Sequence, residues 1–203
     1  MTKTVATPRP GTITTTPANL PAPCWDVEMV ARGGFAFHVR PAGPADETAL
    51  GAFFEGVAKE DLHFRFLSAV QKVGHSQLEA LVMVDHNSTE NFLAIEPGTG
   101  RILATAMMAA DKMMESAEVA IAIRSDFKRR GISWMLLDHV ARFAASKGIR
   151  SLESVENREN HQAIELERDM GWKATPCPGD STLVILKTSL QQPPAAAAAK
   201  DRP

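Results

Sequence analysis

The sequence predicts a single α/β domain of the α+β kind, and three observations carry that reading. Apolar runs short enough for strands are interspersed with longer stretches of helical periodicity. Pro97-Gly98-Thr99-Gly100 lies between two of the apolar runs and joins them as a hairpin. The third observation is length. Of 203 residues, the first 24 hold five prolines and seven threonines without one acidic residue, and the last 13 read QQPPAAAAAKDRP. Such segments bury too little apolar surface to order themselves. The expected organisation is therefore a Thr/Pro-rich tail over 1–24, a folded domain over 25–190 and a Pro/Ala-rich tail over 191–203. The folded part has the size of one domain.

The elements follow in order. Gly34 to Arg40 alternates Phe and Val with other residues as a first strand, and Pro44 with Asp46 and Glu47 opens a helix to about Val57. Residues 58–84 read as two further short helices, with Leu78, Leu81 and Val82 at helical spacing. Asn91 to Ile95, Ile102 to Ala109 and Val119 to Ile123 form a meander of three strands. From Gly131 to Lys147 the apolar positions Ile132, Leu136, Val140 and Phe143 fall on one helical face, and Gly148 ends the helix. Leu152 to Val155 is another strand. Asn160 begins a helix that stops at Gly171, and Trp172 to Ala174 and Leu183 to Leu186 supply the last two strands. The sum is a sheet of about six to seven strands flanked by helices.

Composition removes several function classes. There is no tyrosine, so no phenol can act as acid, base or nucleophile. Two cysteines, Cys24 and Cys177, support neither a disulfide framework nor a Cys-rich zinc site. The six histidines show neither H-x-x-H nor H-E-x-x-H spacing, so no metal is expected. The longest strongly apolar stretch, Val119 to Ile123, falls far short of the roughly 20 residues that span a bilayer. A reduced, cytoplasmic location follows as the expectation. The net charge is −2 in all, and the tails carry +2 and +1, which leaves the body at −5. Nothing in that balance favours nucleic acid or a membrane as partner.

Against this acidic body one segment stands out: Val119-Ala-Ile-Ala-Ile-Arg-Ser-Asp-Phe-Lys-Arg-Arg-Gly131-Ile-Ser133, a strand leading through a basic turn into a long helix. The unpaired N–H groups and positive dipole end of a helix N-terminus bind anions, phosphate above all. Arg124, Lys128, Arg129 and Arg130 against Asp126 give the turn a local +3. On charge alone it reads equally as a solvated basic turn. Neither the G-x-x-x-x-G-K-[ST] nor the G-x-G-x-x-G pattern is present.

Lys128-Arg129-Arg130-Gly131-Ile132-Ser133, its helix, and the second element from Glu159-Asn160 to Gly171-Trp172 resemble the GNAT superfamily of acyl-CoA-dependent N-acetyltransferases. The segment Asp61-Leu-His-Phe-Arg65-Phe-Leu, Asp85 and Ala117-Glu118-Val119-Ala120 are similar to the GNAT domain of bacterial Pat-type protein-lysine acetyltransferases. Lys128 and Ser133 depart from the usual Gln/Arg and Gly/Ala of the loop signature. The resemblance implies the GNAT fold, with a mixed central sheet, and acetyl-CoA as cosubstrate without a metal. It implies that the strand through Ile121 and Ile123 holds the pantetheine arm. The loop would take the pyrophosphate through the backbone of Arg129, Arg130, Gly131 and Ser133, with added charge from Arg124 and Lys128. Asn160 would either bond the pantetheine or cap its helix.

Glu118 matches the position of a catalytic glutamate in the Pat-type proteins, and the resemblance makes it the general base; on residue type alone it would be a solvated strand residue. A base is needed because a lysine amine loses its proton near pH 10.4, at a cost of about 4.6 kcal/mol at neutrality. Many family members place a tyrosine, as acid for the departing thiolate, where this chain has Glu167. The implied partner is an amine acceptor, protein lysine or a small molecule, and homodimers are common in the family. The alternative reading is a non-catalytic acyl-CoA sensor on the same fold.

Overall fold

The computed structural model describes residues 25–68 and 72–190, so both expected tails and Cys24 lie outside the described residues. The chain starts with a hairpin. Strand β1 (Val27–Val30) turns through Gly33 and Gly34, both at positive φ, into β2 (Ala36–Pro41). β1 was not expected from the sequence: only Met29 in it is buried, so it shows no apolar alternation.

Arg40 forks onto Asp46 at 2.6 and 2.8 Å and ties β2 to the 3-10 turn that starts α1 (Glu47–Glu55). Two short helices follow, α2 (Lys59–Phe66) and α3 (His75–Val82). The meander is β3 (Thr89–Ile95), β4 (Ile102–Ala110) and β5 (Ser116–Ile123), each at least as long as its apolar run. After it come α4 (Ile132–Ser146), β6 (Ser151–Asn157), α5 (His161–Asp169), β7 (Lys173–Pro176) and β8 (Leu183–Ser189).

The strands form one sheet of eight in the order β1-β2-β3-β4-β5-β6-β8-β7. Every pairing is antiparallel except β5–β6, the one joined by a helical crossover through α4. Period-two side-chain alternation divides the core. In β3, Phe92 and Ala94 face a cluster under α4 with Leu136, Val140 and Phe143, while Leu93 and Ile95 face one built by Leu50, Phe53 and Leu62. Helices cover both faces, which is why the central strands read as near-continuous apolar runs.

Helices α4 and α5 end alike. Gly148 and Gly171 take φ of 85° and 88°, and the next residues, Ile149 and Trp172, donate back to the carbonyls of Ala144 and Glu167. This arrangement satisfies the last carbonyls and reverses the chain abruptly. No helix among the described residues is long and apolar enough to cross a membrane.

Candidate active site

β5 and β6 run parallel for a short distance and then part. Their pairing covers Ser116–Glu118 with Ser151–Glu153; beyond that, β5 continues against β4 to Ile123 while β6 continues against β8 to Asn157. A strand edge normally sealed by a neighbour is left open there. The gap is a cleft of about 540 Å3, lined by β5, the end of β6, α2, the start of α4 and one face of α5.

At one end lies the basic turn. Arg129 takes φ 61° and Gly131 φ 80°, so the backbone curls and concentrates N–H groups at the head of α4. Gly131 is the N-cap and no side chain caps the helix, so its first-turn donors are not taken by a capping side chain. A Cβ at Gly131 would lie 3.3 Å from that of Ala31.

The side chains of the turn divide. Lys128 lines the cleft but donates to Asp61 of α2 at 2.6 Å, so its charge is already paired. Arg129 lines the cleft. Arg130 points the other way, its guanidinium 5.1 and 4.7 Å over the rings of Phe35 and Phe127. Arg124 donates to Asp126 at 3.0 Å and packs against Gly56, outside the cleft lining. Of the positions expected to bind phosphate, Lys128, Arg129, Gly131 and Ser133 thus line the cleft, while the side chains of Arg124 and Arg130 lie away from it.

Ile121 and Ile123 line the cleft from β5. Glu118, third residue of β5, stands where β5 leaves β6, exposed and on the cleft wall. Asn160 performs two tasks. Its side chain accepts from Ala163 N, capping α5, and its amide donates to Glu156 Oε2 at 2.7 Å.

Three cleft residues carry more chemistry than their sequence positions signal. Glu167 is 5% exposed and accepts from Ser154 Oγ at 2.7 Å; burial, then the charge of Glu156, pushes its carboxyl up to about 8. Burial pushes Glu156 up to about 7, opposed by the Asn160 amide and Arg65. Glu167 lies three residues after Ile164 on the buried face of α5, and that break in an apolar face is the signal a reader of the sequence has. Arg65, on α2, is lowered by burial against the attraction of Glu118 and Glu156. Asp85 has another purpose: it accepts from Asn87 N, Ser88 Oγ and Thr89 N and holds the loop before β3. Among the described residues no cluster of His, Cys, Asp and Glu is arranged to hold a metal.

The acetyltransferase (GNAT) family pattern matches residues 59–172, more than half of the chain and all the walls of this cleft. The chain belongs to the GNAT acetyltransferase family. As a GNAT protein it is an acyl-CoA-dependent acyltransferase, and acetyl-CoA is the family's acyl donor. It is similar to an acetyltransferase of Pseudomonas aeruginosa, 27% identical over 154 residues that cover 75% of this chain and 83% of that one. Its fold resembles the GNAT domain of S. lividans PAT, with a TM-score of 0.77 at 24% identity, covering 82% of this chain and 97% of that one. It also resembles a spermidine N-acetyltransferase from Vibrio cholerae in complex with CoA and spermine, at TM-score 0.61 and 13% identity over 75% of this chain and 95% of that one. The eight-stranded mixed sheet of this GNAT domain carries one strand more than the seven runs the sequence shows.

Proposed function

We propose that the enzyme transfers the acetyl group of acetyl-CoA to a primary amine by direct attack within a ternary complex, using a folded domain over 25–190. The observation that carries this reading is the open edge of β5, with a phosphate-type helix N-terminus at one end and a carboxylate, Glu118, where the strands part. A long, flexible cosubstrate with an anionic head fits that layout: the head against the N–H groups from Arg129 to Ser133, the arm along Ile121 and Ile123. Lys128 adds a charge shared with Asp61.

The chain's own groups cover both proton movements. Glu118 accepts a proton from the incoming ammonium, directly or through water, so that the neutral amine attacks the thioester carbonyl. Glu167 lines the same cleft and is protonated near neutrality, which supports its role as the group that gives a proton to the sulfur as the C–S bond breaks. General acid and base groups of this kind contribute typically about 10²–10⁴-fold each. The acceptor is an amine of a protein lysine or a small molecule.

Two measurements test the reading. Isothermal titration should show acetyl-CoA binding to the full chain, and its absence removes the donor assignment. Glu118→Gln should lower kcat by about 10²-fold or more with acetyl-CoA affinity retained. A variant with wild-type rates across roughly pH 6 to 9 would exclude Glu118 as base.

A further inference from the structure

Arg65 is a cleft residue whose guanidinium the described residues leave without a hydrogen bond. It sits in the last turn of α2 and lines the cleft. Its Nε is buried without a hydrogen-bond partner, and among the described residues its guanidinium makes no hydrogen bond and no ion pair. The obvious partner is taken: Asp61, one helical turn earlier on the same face of α2, is held by Lys128 at 2.6 Å. Phe66 lies 5.2 Å beneath the guanidinium carbon and steadies it. Glu118 and Glu156 attract it without bonding to it.

A half-buried guanidinium whose Nε is shut from water without a partner is costly unless something pairs with it, and its planar fork matches a carboxylate in two-point contact. The anionic head of the cosubstrate has a place of its own at the head of α4, so Arg65 faces the acceptor. We infer that Arg65 is the carboxylate-binding residue of the acceptor subsite, and that the acceptor is a small amine bearing a carboxylate, of amino-acid size. The inference rests on the acetyl-transfer reading and deepens it. In such a zwitterion the ammonium end faces Glu118 and the carboxylate end faces Arg65, an arrangement of opposite charges that the cleft mirrors. A lysine within a protein chain offers no carboxylate at that distance from its amine, which narrows the acceptor to the small-molecule side.

The test compares matched acceptors with the full chain at saturating acetyl-CoA, reading CoA release. Free amino acids are paired with their own carboxamides, and a lysine peptide with blocked ends is run beside them. The expected result is a kcat/KM at least about tenfold higher for the free acids than for the carboxamides and the peptide, the worth of one charge-assisted pair. Arg65→Gln should bring the ratio to about one by a loss on the acid arm, with acetyl-CoA affinity unchanged and Arg65→Lys recovering part of it. The acid-to-amide ratio of the native enzyme is decisive even if the variants fold poorly. Equal or better turnover of carboxamides or the blocked peptide overturns this inference alone. Failure to bind acetyl-CoA, or to release CoA with any amine, overturns the transfer reading on which it rests.

Discussion

Glu167 shows how far a single carboxyl departs from its ordinary behaviour when a fold buries it. Its folded-state value of about 8 lies above the ordinary 4.5, so folding binds a proton that the unfolded chain releases. The stability linked to this group is therefore greatest below about pH 4.5 and is lost progressively as pH rises to about 8. Glu167→Gln keeps the acceptor for Ser154 Oγ and removes the titration. Its melting temperature should fall less than that of the wild type between those pH values and should exceed it near pH 8. Parallel pH dependences would mean that the carboxyl is ionised and solvated in the folded state. The same variant should lower kcat and lose the alkaline fall near pH 8 that a proton donor imposes. The sequence marks Glu167 as a charge on a buried helix face, but it does not mark Glu156. That residue is one of two adjacent polar residues ending β6, and only the parting of the strands makes it a cleft residue.

At the scale of elements, the head of α4 after a basic turn was legible because helix chemistry is local: Arg-Gly-Ile-Ser states where the helix starts. The directions of its cationic side chains are not local. Arg130 is drawn over Phe35 as well as its near neighbour Phe127, and Arg124 onto Gly56; Phe35 and Gly56 lie about 70 to 95 residues away in sequence from the cations they direct. On the proposed reading, recognition of the cosubstrate falls on backbone donors more than on side-chain charge, and the conformation of Gly131 sets their direction. At φ 80° an alanine pays about 1–2 kcal/mol, and its Cβ meets that of Ala31 at 3.3 Å. Gly131→Ala should cost about that much in denaturant unfolding and weaken acetyl-CoA binding by about tenfold or more, through displaced N–H groups. Unchanged affinity with the stability loss alone would show that the curl at the head of α4 serves folding and not the ligand. Strand β1 illustrates the other limit: with one buried side chain, its pairing with β2 rests on backbone bonds, which leave no mark in the sequence.

For the whole molecule, the division of the sheet is the decisive feature. β1 to β5 with the first four helices form one body, β6 to β8 with α5 form a smaller one, and three residue pairs of β5 and β6 join the two strand sets. Buried side chains from both, such as Val119, Leu152 and Leu186, continue one core under that seam. A ligand in the cleft bridges the bodies and binds only the folded chain, so it stabilises both together. At a hundred times its Kd acetyl-CoA should add about 2.7 kcal/mol, a rise in melting temperature of roughly 5–10 °C for a chain of this size. Hydrogen exchange should slow together in Val119–Ile123, in the first turn of α4 and in Ser154–Asn157, on opposite walls of the gap. α3, whose residues do not line the cleft, should exchange at its ligand-free rate. Protection confined to the head of α4 would mean that the ligand touches the basic turn without lying along β5. The strand edge and Glu118 would then lose their assigned roles, even if affinity and thermal shift were as expected.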